Sequence, residues 1–133
     1  MTAAAFRADA LILACAISAG IHAALAPEHF AEEGVPAGVG FVASAVLLAV
    51  LAVVLTVRPS DLARAAAGLT FIGLIAAYAL VVTTGVPVLH PDRESLDGLA
   101  LVTKAVEAAG LALCLPPLRP LTVTTFQPKG SST

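Results

Sequence analysis

Three ionisable side chains, His22, Lys104 and Glu107, fall inside otherwise apolar stretches of this sequence. Such groups cost about 2.5 to 3.5 kcal/mol at the centre of a lipid-spanning helix, so they are usually paired or functional. Lys104 and Glu107 are three positions apart and share a helix face. At about 1.5 Å of rise per residue, His22 lies at the depth of Lys104 if the two helices adjoin. We therefore predict a polar core of His22, Lys104 and Glu107, which is either a staple that fixes helix register or a proton-relay, metal or substrate site.

A second group of histidines and acids follows Pro27. His29 and Glu32 or Glu33 have the helical spacing that could seat a divalent cation, and His90 from a later loop could complete the site. Imidazole and carboxylate ligands suit zinc or copper(II). The same residues are explained without a metal if the acids cap a helix and the histidines are solvated in loops. The candidate metal ligands of this alternative are His22, His29, Glu32, Glu33 and His90.

The composition is that of a protein dissolved in lipid. Of 133 residues, 59% are hydrophobic and 12% are charged, with a mean hydropathy of +0.96. Soluble domains carry about 25% charged residues. A lipid bilayer is therefore the expected partner. The net charge of −2 and the absence of a basic run exclude nucleic acid as a partner.

Four apolar stretches approach the length of about 20 residues that a bilayer requires. We predict spans at about 8–26, 35–57, 62–84 and 96–118, so that residues 1–133 form one all-α domain, an integral membrane bundle of four transmembrane helices. We expect the first helix to break at Pro27 and a short interfacial helix to occupy residues 27–34. We expect the tail, residues 119–133, to be disordered.

The start of the chain has an alternative interpretation as a secretory signal that is cleaved after Ala26. Pro27 at the first mature position and Asp9 beside the apolar run count against it. With the first span retained, most basic residues outside the spans fall on one side of the membrane. Both termini are then expected in the cytoplasm, with the chain in a bacterial plasma membrane. All three histidines and six of the nine acids gather at or near the external end.

Small residues recur at four-residue spacing in three of the spans, as Ala16-Gly20-Ala24, Gly73-Ala77 and Ala108-Ala112. In lipid, such stripes let helices approach closely and pack. The sequence has no nucleophile elbow, phosphate loop or CxxC motif. Our first hypothesis is therefore a non-enzymatic accessory or interaction subunit of a larger membrane complex, or a self-associating protein. The alternative is an outward-facing metal-binding or proton-coupled site, and a lipid- or quinone-modifying enzyme is the remaining interpretation.

Two segments carry a resemblance to known proteins. Ser18-Ala19-Gly20-Ile21-His22 followed by Ala26-Pro27-Glu28-His29-Phe30, and later Thr84-Gly85-Val86-Pro87, resemble a group of small four-span bacterial membrane proteins common in actinobacteria. In that group a His…PEHF segment closes the first helix and a TG-x-P turn follows the third. The resemblance implies the four-helix membrane fold and no assigned activity. The second loop of that group is glycine-rich, whereas this chain has Leu89-His90-Pro91, so the resemblance gives His90 no role.

Overall fold

The computed structural model describes residues 2–84 and 98–116, and these form helices without any strand. The helices are α1 (Ala3–Glu32), α2 (Val35–Val57), α3 (Asp61–Thr84) and α4 (Gly98–Cys114). Side-chain oxygens cap two of them at the amino end. Thr2 accepts a hydrogen bond from the backbone N–H of Ala5, and Ser60 accepts one from that of Ala63. The predicted all-α class is confirmed.

Short connections make successive helices antiparallel. Glu33 and Gly34 join α1 to α2, and Gly34 has a φ of 92°, a backbone conformation that glycine adopts without steric cost. Pro36 follows in the first turn of α2, where a missing N–H is tolerated. Residues 58–60 join α2 to α3.

The helices pack in the ring order α1–α2–α3–α4, with α1–α2 the most extensive pair and α2–α3 the least. Helix α4 runs antiparallel to α1, because Arg7 contacts Leu113 whereas Ser18 contacts Glu107. The Arg7 guanidinium donates to the carbonyls of Leu113 at 3.1 Å and Leu115 at 2.6 Å, so α1 caps the carboxyl end of α4.

Three of the helices, α1, α2 and α3, are long and apolar enough to cross a membrane. Helix α4 has 17 residues, fewer than the roughly 20 that a span requires. Three helices that could cross a membrane are therefore present, and the fourth span stays a prediction. The predicted bounds 96–118 exceed the helix at both ends, and residues 96, 97, 117 and 118 lie outside the described part of the chain. The predicted disordered tail, residues 119–133, lies outside it as well.

The predicted break at Pro27 is wrong. Helix α1 continues through Pro27 to Glu32, so residues 27–34 do not form a separate interfacial helix. Pro27 removes one backbone hydrogen bond and is itself exposed. Ala26 and His29 on either side of it are buried at 4% and 8% exposure. The inward face of α1 therefore stays packed beyond the proline, which favours a continuous helix.

Candidate functional site

Glu107 is the centre of a polar cluster inside the bundle. Its side chain is fully buried, and Lys104, one turn earlier in α4, places its Nζ 2.7 Å from Glu107 Oε2. The Ser18 hydroxyl in α1 donates to Glu107 Oε1 at 3.3 Å. Both carboxylate oxygens therefore have a partner, as a buried charged group requires. We call Ser18, His22, Lys104 and Glu107 the polar cluster.

His22 faces the same carboxylate from α1. Its Nδ1 lies 2.9 Å from the backbone carbonyl oxygen of Ser18, to which it donates, and this contact fixes the ring orientation. Nε2 then lies 3.8 Å from Glu107 Oε1. That distance is too long for a hydrogen bond but lies within the range of an ion pair when the ring is protonated. The imidazole is therefore a second proton-carrying group beside the carboxylate.

Helices α2 and α3 close the site. Each contributes one aromatic ring, and α3 also contacts Lys104 of α4. Lys104 Nζ lies 3.4 Å from the carbonyl oxygen of Leu74 and 5.1 Å from the centre of the Tyr78 ring, both in α3. In α2, Phe41 stacks on His29 with ring centres 3.6 Å apart and lies 5.4 Å from His22. All four helices thus contribute side chains to one region.

A cavity of about 290 Å³ extends from this cluster to the end of α1. His22 and Lys104 line its inner part, together with Phe41 and Tyr78. Its other end is lined by Glu28, His29, Glu32 and Glu33, which we call the acidic end. There, His29 Nε2 lies 3.7 Å from Glu33 Oε1. We refer to this space as the polar cavity.

The structure brings together His22, Lys104 and Glu107, as the helical spacing predicts, whereas their role in function stays a prediction. Sequence reasoning did not assign Phe41 or Tyr78 to the site. Tyr78 could have been identified from the sequence, because it is the single tyrosine of the chain and lies in an apolar span. Phe41 could not have been identified in this way, since it is one apolar residue among many in α2.

The predicted metal ligands do not converge in the described part of the chain. His29 pairs with Glu33, whereas His22 faces Glu107 instead. Within residues 2–84 and 98–116, no group of three or more His, Cys, Asp or Glu side chains is placed to hold a metal ion. His90 lies outside these residues. Zinc and copper therefore have no described ligand set.

A larger cavity of about 560 Å³ lies at the opposite end of the bundle, where Arg7 and Arg64 line it. Both cations are already engaged. Arg7 donates to carbonyls at and just beyond the end of α4, and Arg64 lies 2.7 Å from Asp61. The two cations of this cavity therefore serve contacts within the fold itself.

The chain matches no protein-family model, no curated protein and no solved structure. The resemblance to small actinobacterial membrane proteins therefore stays a prediction, and the function is argued from the site alone.

Proposed function

We propose that this is a four-span membrane protein in which Glu107 exchanges protons with the solution at the acidic end of the bundle. One observation carries the proposal. The two side chains that flank the buried carboxylate, His22 and Lys104, also line a cavity that reaches Glu28 and Glu32. A staple that only fixes helix register needs no such cavity, because its groups are best enclosed by packing.

The chemistry of the cluster suits reversible protonation. With Glu107 ionised and Lys104 protonated, the pair is neutral overall, which a low-dielectric interior favours. Imidazole is the side chain that most readily takes up and releases a proton near neutral pH. His22 stands between the cavity and the carboxylate, so it is the natural carrier between the acidic end and Glu107. Six donors and acceptors of protons, namely Glu28, His29, Glu32, Glu33, His22 and Glu107, then lie along one path.

The distribution of charge supports an outward-facing acidic end. Arg7, Arg58 and Arg64 lie at the other end of the bundle, and cationic residues favour the cytoplasmic side. The proposal therefore places both termini in the cytoplasm of a bacterium and the acidic end outside. Helix α4 spans about 26 Å at 1.5 Å per residue, so flanking residues would complete the fourth crossing.

Infrared spectroscopy of the protein in lipid vesicles tests proton exchange directly. The wild type should show a carboxyl C=O band that appears and disappears on pH titration and shifts in D2O. Glu107→Gln should remove that band. The matched control is Asp9→Asn, which changes an exposed acid at the opposite end of the bundle, outside the polar cavity, and should leave the band in place. A wild-type spectrum with no titrating band that Glu107→Gln removes would refute the proposal.

A specific observation also supports the interaction-subunit hypothesis as a second candidate. The three small-residue stripes face outward from the bundle: Ala16, Gly20, Ala24, Gly73, Ala77, Ala108 and Ala112 are all exposed. A Cβ added at Gly20 or Gly73 would meet no atom within 4 Å. In lipid, an outward stripe of small residues allows another helix to approach closely. The occupant would be a second copy or a subunit of a larger complex.

Energy transfer between labelled copies in vesicles tests self-association. Gly20→Leu should reduce transfer, because the leucine side chain would hold a neighbouring helix away. Val53→Leu, an exposed substitution on α2 outside the stripes, should leave transfer unchanged. Equal transfer in the wild type and in Gly20→Leu would count against an interface at this stripe.

A further inference from the structure

A third cavity lies between α2 and α3 and shares residues with the polar cluster. It has a volume of about 180 Å³ and is lined mainly by apolar side chains, with Lys104 and His22 at its inner wall. Phe41 and Tyr78 contribute an aromatic ring from each of the two helices. These two helices form the least extensive pair of neighbours in the bundle. We call this space the α2–α3 cavity.

The volume limits what the α2–α3 cavity can hold. An engineered protein cavity of about 150 Å³ takes up benzene. At about 180 Å³, the α2–α3 cavity is therefore large enough for one substituted ring. Gly40 and Ala77 line the same cavity and are exposed on the outside of the bundle. A ligand with an apolar tail could leave its tail among the lipids at this point.

The charges decide the class of ligand. The ammonium of Lys104 lies 2.7 Å from the Glu107 carboxylate, so its positive charge is already compensated. A second anion in the cavity would face that carboxylate in a medium of low dielectric constant, which is strongly unfavourable. An ammonium has three N–H donors, and Lys104 directs two of them to Glu107 and to the Leu74 carbonyl. A neutral acceptor can take the third donor without adding charge.

We infer that the α2–α3 cavity binds a neutral, membrane-dissolved ring that carries hydrogen-bond-accepting carbonyl groups, the chemistry of a quinone head group. Lys104 donates to one carbonyl oxygen, and the rings of Phe41 and Tyr78 flank the bound ring, since aromatic faces stack favourably. The inference names a ligand for the site of the proposed function and rests on the same polar cluster. It concerns binding and involves no electron transfer.

Tyrosine fluorescence provides a selective test, because Tyr78 is the single tyrosine and the chain has no tryptophan. The probe is decylubiquinone added to the protein in phosphatidylcholine nanodiscs, with absorbance of the quinone corrected at each point. Quinone dissolved in the lipid quenches linearly with concentration, whereas a bound quinone adds a saturable component. The wild type should show this saturable component.

Two glycine substitutions form a matched pair. Gly40 lines the α2–α3 cavity and a Cβ there meets no atom within 4 Å, so Gly40→Leu should fill the cavity and abolish saturable quenching. Gly73 has equally open surroundings and does not line the cavity, so Gly73→Leu should retain it. Circular dichroism of both variants checks that the helices remain.

Three results would overturn the inference: linear quenching alone in the wild type, saturable quenching that survives Gly40→Leu, or displacement of the quinone by palmitate, which would indicate an anion site. The measurement reports occupancy and needs no proton exchange at Glu107. Saturable binding without a titrating carboxyl band would therefore refute the proposed function alone, and a titrating band without saturable binding would refute this inference alone.

Discussion

The two halves of the bundle are built differently. One half, around Cys15, Leu48, Ala67 and Phe71, is a fully buried apolar core. The half nearer the acidic end holds the polar cluster and both cavities that His22 and Lys104 line. Between helices in lipid the hydrophobic effect is weak, so close packing and polar contacts determine stability. The apolar half therefore fixes the helix positions by packing, whereas the polar half holds the buried ionisable groups.

The largest effect should come from separating the charges of the polar half. Lys104→Leu leaves Glu107 fully buried without its cation, and breaking a buried pair in this way costs about 3–5 kcal/mol. Glu107→Leu should cost less, because the Lys104 side chain is 19% exposed and lines two cavities into which its ammonium can turn. The measurement is the free energy of unfolding in detergent micelles, obtained by titration with a denaturing detergent.

The double variant Lys104→Leu/Glu107→Leu provides the control for this prediction. It removes both charges and should recover most of the stability that Lys104→Leu loses, since no uncompensated charge remains. Small and equal losses in the two single variants would show that the ion pair contributes little. The stability of the polar half would then not depend on its charges, and the contrast with the apolar half would fail.

The depth of the polar residues could be predicted from the sequence, whereas the rotation of the helices could not. Counting 1.5 Å per residue along straight antiparallel rods places His22 beside Lys104, and helical spacing pairs Lys104 with Glu107. To predict which face of a helix points inward, the sequence must show a contrast between a polar and an apolar face. Helix α2 is apolar on all sides, so its sequence does not show that Phe41 faces His22 and His29.

The same ambiguity applies to the small residues and to Pro27. A stripe such as Ala16-Gly20-Ala24 suits packing inside the bundle or against another protein, and in the structure it faces outward. Local propensity places a break at Pro27, but contacts of the inward face on both sides of the proline outweigh the loss of one hydrogen bond. Each outcome depends on tertiary packing, which a local sequence pattern does not contain.

A smaller effect is expected from overpacking the apolar half. Gly110 lies one turn beyond Glu107 in α4, and a Cβ added there would lie 2.5 Å from the ring of Phe71. That ring is fully buried in the core cluster, so moving it aside would displace its core neighbours. Gly110→Ala should therefore cost about 1–3 kcal/mol in the free energy of unfolding. Gly73→Ala is the matched control, and should instead stabilise its helix by about 0.5–1 kcal/mol because the added Cβ meets no neighbour.

The spectroscopic consequence of Gly110→Ala tests whether the two halves are independent. The substitution acts on the contact between α3 and α4 in the apolar half, where Phe71 touches Gly110. If that half only fixes helix positions, the variant should lose stability while the carboxyl band of Glu107 titrates as in the wild type. A shift of the band together with the loss of stability would mean that a sub-ångström displacement of α4 reaches the Lys104–Glu107 pair. The apolar half would then set the geometry of the polar cluster as well as hold the bundle together.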